Sequence, residues 1–212
     1  MVMIRSITIE REYGSGGAEV ARKLAERLGW KLWDQELTNE IARLMDCPSR
    51  TVEEHEERKD SLRYRLFKAF MKGSFEGSLN APKLKIVDAD CIKDITRRVV
   101  TDVAREGNAV IVGRGSAYHL QDRPDVFHVF VYAPFEDKVR RLRALGKSES
   151  EAIELAETVD RDRAAYIKQY FDLDWPPREY FHVMINTTMG DEYVVETILH
   201  SVALLLQQPA SV

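Results

Sequence analysis

A glycine-rich turn near the N-terminus, between a strand-like and a helix-like segment, constrains the fold of this chain more than any other feature. Residues 7–11 are predicted to form a buried strand, residues 14–17 read Gly-Ser-Gly-Gly, and apolar side chains then recur at helical spacing at Val20, Leu24 and Leu28. Because glycine has no Cβ, the amides of such a turn can point inward around an anion, and the first helical turn adds unpaired N–H groups and a partial positive charge. The segment therefore predicts a phosphate-binding loop formed by Gly14, Ser15, Gly16, Gly17, Ala18 and Glu19.

The loop departs from the usual phosphate-binding sequence at the positions that carry its chemistry. A Walker A loop reads G-x-x-x-x-G-K-[ST], in which the lysine reaches the phosphates and the hydroxyl residue binds Mg²⁺. Aligning Gly16 with the second glycine puts Gly17 at the lysine position and Ala18 at the hydroxyl position, and Arg11 then stands at the first glycine. Losing a charge-assisted hydrogen bond costs about 1.5–3 kcal/mol, so we expect another cation to compensate. Arg11, which we predict to be catalytic, and Arg22 are the two candidates.

The composition excludes several large classes of protein. Hydrophobic residues make up 44% of the 212 residues, which indicates a folded domain with a sizeable core. The 31 Lys and Arg side chains are balanced by 35 Asp and Glu, with a net charge of −4 and no polybasic run, so no nucleic-acid partner is expected. No apolar run approaches the length of a membrane span, and neither cysteine lies in a C-x-x-C motif. We therefore expect a soluble cytoplasmic protein without a membrane partner.

Strand-like and helix-like segments alternate along the chain, which favours an α/β fold with a parallel sheet covered by helices on both faces. The predicted strands are residues 7–11, 30–33, 109–112, 126–132 and 182–185. Between the second and third of them, residues 46–86 contain charged helical segments and a glycine-rich stretch. We interpret this segment as a helical insertion within a single domain of residues 1–212.

Taken in order, short segments of the chain resemble those of the cytidylate kinase-like proteins. Besides the glycine-rich loop, they are Trp33-Asp34, Val110-Ile-Val-Gly-Arg114, Phe130-Val-Tyr-Ala133, a helix with Arg161 and Arg163, and Ile185-Asn-Thr. The resemblance implies the P-loop kinase-like fold, a five-stranded parallel sheet of order 2-3-1-4-5. It also implies ATP or another nucleoside triphosphate as phosphoryl donor, Mg²⁺ as cofactor, and a nucleoside monophosphate such as CMP or a related small acceptor. Residues 46–86 would then bind the acceptor, and residues 135–171 would form a lid.

The resemblance further implies an acceptor site built from Asp34, Arg43 and Arg114. In related kinases an arginine on the helix after the aspartate binds the acceptor phosphate; by spacing, Glu40 stands at that position here, and Arg43 follows one turn later. Structural alternatives stay open, because Asp34 is also well placed as a helix N-cap and Arg114 as a surface arginine in a turn.

Arg161 and Arg163 correspond by their place in the chain to lid arginines that close on the phosphates, and we predict them to be catalytic. The structural alternative is that they pair with acidic neighbours on their own helix.

Two classes of function stay open. The retained arginines favour a phosphotransferase. A loop without its lysine and hydroxyl, with Glu19 where a phosphate-contacting threonine is usual, favours a nucleotide- or phosphate-binding sensor or interaction module that has lost the chemistry.

Overall fold

The computed structural model describes residues 3–45 and 89–207, in which strands and helices alternate as the sequence predicts. The strands are β1 (Ser6–Arg11), β2 (Lys31–Trp33), β3 (Ala109–Val112), β4 (Val126–Tyr132) and β5 (Val183–Asn186). The helices are α1 (Gly17–Leu28), α2 (Gln35–Met45), α3 (Ala89–Glu106), α4 (Ser116–His119), α5 (Phe135–Ala144), α6 (Glu149–Phe171) and α7 (Asp191–Gln207), with short 3-10 turns at Arg178–Tyr180 and Thr187–Met189. The insertion predicted at residues 46–86 lies outside the described residues.

The strands form one parallel sheet with the order β2-β3-β1-β4-β5, which confirms the predicted order. Ile7 of β1 lies opposite Val110 of β3 on one side and Phe127 of β4 on the other. All six residues of the central strand β1 are buried. The carboxyl ends of β1 and β3 therefore meet in the middle of one sheet edge, where ligands bind in open α/β sheets.

Successive residues of β3 pack into different cores, because side chains alternate across a strand. Val110 and Val112 join the layer between the sheet and helices α1 and α7, while Ala109 and Ile111 join the layer against α2 and α3. Burial of each large aliphatic side chain contributes about 1.5–3 kcal/mol, so both faces of the sheet stabilise the fold.

Capping residues fix one end of each of two helices, α1 and α6. Gly29 is left-handed and its amide donates to the carbonyls of Ala25 and Glu26, which ends α1. The hydroxyl of Ser148 accepts a hydrogen bond of 3.2 Å from the amide of Glu151 and so caps the start of α6. Among the helices of residues 3–45 and 89–207, none combines the length and apolar character needed to cross a bilayer.

Candidate active site

The glycine-rich loop joins the end of β1 to the start of α1 and has the backbone that the sequence predicts. Gly14 and Gly16 have φ of 77° and 83°, in the left-handed region that favours glycine. The hydroxyl of Ser15 donates to the carbonyl of Glu12 at 2.8 Å, which closes the turn. Because α1 begins at Gly17, the amides of Gly17 and Ala18 at its start can donate to an anion, whereas those of Glu19 and Val20 donate to the carbonyl of Gly16.

A buried ion network holds the loop from the side of α5 and α6. The amide of Tyr13 donates to Oδ1 of Asp160 at 2.8 Å. Lys138 Nζ lies 2.9 Å from Oδ2 of Asp160 and 3.2 Å from Oε2 of Glu12. Burial opposes the charge of Lys138, but the two carboxylates outweigh it, and the pKa of Lys138 is raised. The sequence analysis did not predict this network. Lys138 lies one helical turn before the buried Leu142, so its position on the buried face of α5 is the sequence signal that indicates a buried cation.

Arg141 of α5 ties the loop to the end of β5. Its guanidinium donates to the carbonyl of Ser15, and also to the hydroxyl of Thr187 at 2.5 Å and the carbonyl of Thr187 at 3.1 Å. A second cation therefore lies beside the loop. The sequence shows Arg141 only as one of several basic residues of α5, with nothing to separate it from the others.

Arg11, at the end of β1, is one of the site residues that the sequence predicts, and it is only 3% exposed. Its stem passes Gly17, its guanidinium lies against Gly113, and its Nη2 is 3.8 Å from Oδ1 of Asp34. Arg22, the other candidate to replace the lysine, lies on the surface of α1 and pairs with Glu19, with its Nε 3.0 Å from Oε2. The structure thus brings Arg11, and not Arg22, to the sheet edge, and it turns Glu19 toward Arg22.

Arg114 follows β3 in a strained backbone. Gly113, Arg114 and Gly115 have φ of 65°, 61° and 66°, so three consecutive residues are left-handed, which a side-chain-bearing residue rarely adopts. The Arg114 side chain is fully buried and donates to the hydroxyl of Thr38 on α2, while its Nε and Nη1 have no hydrogen-bond partner among residues 3–45 and 89–207. The position is therefore not that of a surface arginine in a turn.

Burial and neighbouring charges shift the pKa of Arg114 in opposite directions. Burial lowers the pKa of its guanidinium to about 9, Asp34 and Glu10 act in the other direction, and the nearby charges of Arg11 and Arg163 lower it further. Three buried guanidinium groups therefore converge at this edge, and an anionic ligand would relieve their repulsion.

Glu10 adds a buried carboxyl that the sequence analysis did not single out. It is 6% exposed, Ser116 Oγ donates to its Oε1 at 3.3 Å, and burial raises its pKa despite the nearby Arg11 and Arg163. A glutamate within an otherwise buried strand is the sequence signal that identifies it.

The two arginines predicted to lie on a lid, Arg161 and Arg163, differ in their burial. Arg163 is buried, and its Nη1 donates to the carbonyl of Arg11 at 2.7 Å and to Oδ1 of Asp160 at 3.1 Å. Arg161 is exposed on α6. Arg163 thus pairs with Asp160 on its own helix, and the same side chain also contacts the backbone at the start of the loop.

Arg43 lies apart from the cluster. It is exposed on α2, where its Nε and Nη2 donate to the two carboxylate oxygens of Glu40 at 3.0 and 2.7 Å. The structure brings together Arg11, Asp34, Arg114 and Arg163 beside the loop, and it leaves Arg43 and Arg161 at the surface.

Two relatives of this chain are named cytidylate kinases. The chain is 35% identical over 124 residues to a cytidylate kinase of Ignicoccus hospitalis, a match that covers 57% of this chain and 69% of that protein. It is 25% identical over 108 residues to a cytidylate kinase of Methanosarcina mazei, covering 50% of this chain and 60% of that protein.

Two solved structures resemble this chain over nearly its full length. One, of an uncharacterized protein from Eubacterium ventriosum, has a TM-score of 0.66 at 22% identity and covers 94% of this chain and 98% of that one. The other, shikimate kinase from Acinetobacter baumannii in complex with shikimate, has a TM-score of 0.52 at 17% identity and covers 98% and 97%. At these identities the two structures establish the P-loop kinase-like fold and nothing further.

The model of the cytidylate kinase-like family matches residues 6–189, a range that includes the loop, the buried arginines and β5. The chain therefore belongs to the cytidylate kinase-like family.

Proposed function

We propose that this protein is a phosphotransferase that moves the terminal phosphoryl group of ATP, or of another nucleoside triphosphate, to a nucleoside monophosphate such as CMP or a related small acceptor. The observation that carries the proposal is the convergence of three buried guanidinium groups, those of Arg11, Arg114 and Arg163, beside a glycine-rich loop. Phosphoryl transfer brings two polyanions together, and its catalysis consists largely of alignment and neutralisation of charge.

Each part of the site has a separate task in this proposal. The loop amides and the start of α1 bind the donor phosphates, and Arg141 supports the loop from outside through Ser15. Arg114, with two guanidinium nitrogens that lack hydrogen-bond partners among the described residues, binds the acceptor phosphate. The lid of residues 135–171 excludes water, because an exposed donor would be lost to hydrolysis.

Mg²⁺ is the cofactor that we propose for the donor. The described residues contain no group of three or more candidate metal-ligating side chains, and Ala18 offers no hydroxyl oxygen. Mg²⁺ in phosphotransferases needs only one or two carboxylates, because phosphate oxygens and water complete its shell. Asp34 fits this need as a carboxylate whose Oδ1 accepts no hydrogen bond among the described residues and has the Arg11 guanidinium 3.8 Å away. The ion would neutralise phosphate charge during transfer.

A second candidate function follows from the loop itself. Gly17 and Ala18 lack the cation and hydroxyl that the donor phosphates usually meet, which favours a nucleotide- or phosphate-binding module without turnover. Such a module would bind ATP, and no acceptor would raise the release of ADP.

Coupled ADP release with CMP, dCMP, UMP and AMP as acceptors tests the two candidates. We expect at least one acceptor to raise turnover above background hydrolysis. The variant Arg114→Lys should then raise the KM of that acceptor more than the KM of ATP, because an ammonium lacks the planar fork that holds two phosphate oxygens. Arg105→Ala, at an exposed arginine of α3, is the matched control and should change neither value. ATP binding without stimulation by any acceptor would reject the enzyme and favour the module.

A further inference from the structure

Gly17 is the one glycine of the loop whose backbone conformation does not require a glycine. Gly14 and Gly16 are left-handed, whereas Gly17 opens α1 and is absent from the positive-φ glycines among the described residues. What a side chain would meet there is Arg11: a Cβ on Gly17 would lie 2.8 Å from Cβ, 3.1 Å from Cγ and 3.4 Å from Cδ of Arg11. The stem of Arg11 thus fills the space into which a side chain at position 17 would extend.

A second glycine makes room for the other end of the same side chain. A Cβ on Gly113 would overlap the Arg11 guanidinium, which lies there with Asp34 on its other side. The Arg11 side chain therefore extends alongside Gly17 and ends against Gly113 at the edge of the sheet, where it is almost fully buried. Burial of a charged side chain is unfavourable unless the charge has a partner. The space that the two glycines leave therefore indicates that the buried guanidinium has a binding role.

We infer that Arg11 and Gly17 are an exchanged pair. The cation that a P-loop carries at the position of Gly17 is carried here by Arg11, at the position of the first loop glycine, and residue 17 is glycine because the Arg11 stem occupies its volume. The inference deepens the proposed function and rests on it for the identity of the ligand, a nucleoside triphosphate. It also changes the chemistry of the cation, because a guanidinium presents a planar fork, and this one lies 3.8 Å from the carboxylate of Asp34.

Ligand binding tests the cation. Arg11→Ala should weaken binding of Mg²⁺-ATP by about 10- to 100-fold in calorimetry, the loss expected for one charge-assisted contact. Arg22→Ala, which removes the same charge from the surface of α1, should stay within about twofold of the parent. Should Arg11→Ala fail to fold, Arg11→Gln keeps much of the stem without the charge and should show the same loss. Affinity unchanged in the Arg11 variants, or a parent that does not bind Mg²⁺-ATP, would overturn the cation role.

The reciprocal exchange tests the pairing of the two positions. Gly17→Lys alone should lower the urea midpoint of unfolding, because two stems compete for one volume. The double variant Arg11→Gly with Gly17→Lys restores the first glycine and the lysine of an ordinary P-loop and leaves Ala18 unchanged. It should unfold at higher urea than Gly17→Lys and bind Mg²⁺-ATP at least about tenfold more tightly than Arg11→Gly. Additive effects of the two substitutions on both stability and binding would overturn the inference. Neither measurement involves phosphoryl transfer, so an inactive protein that shows the coupling would reject the proposed function alone.

Discussion

The Arg163 guanidinium, on the long helix α6, donates a hydrogen bond of 2.7 Å to the backbone carbonyl of Arg11 at the end of β1. The same nitrogen lies 3.1 Å from Oδ1 of Asp160, so one side chain joins the helix to the strand from which the loop departs. A residue that the sequence suggests as a lid arginine therefore also supports the fold.

Arg163 and Arg161 are predicted to respond differently to truncation. Arg163→Ala should lower the free energy of unfolding by about 2–4 kcal/mol, because it removes a buried cation from Asp160 and a partner from the Arg11 carbonyl. Arg161→Ala should change stability by less than about 0.5 kcal/mol, because the side chain is exposed. If Arg161 closes on the phosphates, its removal should reduce turnover by a factor that approaches the 10³- to 10⁵-fold loss known for transition-state arginines. Urea unfolding with steady-state kinetics separates the effects, and equal stability losses would contradict this assignment.

The Lys138–Asp160 pair is predicted to stabilise the loop as a unit. Lys138→Met should destabilise the protein by about 1–3 kcal/mol, because it removes one of the two cations, Lys138 and Arg163, that contact the buried carboxylate of Asp160. Asp160→Asn, which keeps an acceptor for the Tyr13 amide, should cost less on the Lys138→Met background than alone. A double-mutant cycle in urea measures the coupling. Strictly additive losses would show that the pair contributes nothing of its own.

Glu10 is predicted to make stability depend on pH. Its pKa is raised in the folded protein, so above its unfolded value the folded state holds the proton that the unfolded state releases. Stability from this group is complete below about pH 4.3 and falls as pH rises through the folded pKa. Glu10→Gln removes the effect, so its stability relative to the parent should increase with pH over that window. Urea unfolding between pH 4 and pH 8 tests this, and a difference independent of pH would contradict it.

The loop is predicted to bind a simple anion. Crystals grown in sulfate or phosphate should show one within about 2.7–3.2 Å of the amides of residues 14–18, because backbone dipoles supply the attraction without a lysine. An empty loop at high anion concentration would contradict the prediction.

The sheet and the loop could be predicted because their signals are local. An apolar run followed by glycines predicts β1 and the turn, and Ala109–Val112 reads as a central strand because all of its residues are apolar. Strand order came from the resemblance of ordered segments, and the sheet confirms it.

The contacts behind the loop could not be predicted, because they depend on how helices pack. Lys138 meets Glu12 across 126 residues of chain, and no local pattern records that pairing. The different positions of Arg161 and Arg163, the two arginines predicted to lie on a lid, could in part be predicted from the sequence. Residues two positions apart lie about 200° apart around a helix, so Arg161 and Arg163 face different sides.

The left-handed run at residues 113–115 limits how this pocket can be redesigned for other acceptors. Any side chain at Gly113 would collide with Arg11, and one at Gly115 would crowd the ring of Phe171, in addition to the strain of a positive φ. At Arg114 itself, asparagine and glycine are the replacements that the backbone accepts without added strain, and both shorten the reach into the pocket. A mutational library aimed at new acceptors therefore belongs on the α2 side. There the buried Thr38 contacts Arg114 from an ordinary helical backbone, so a change of its side chain adds no strain of a positive φ.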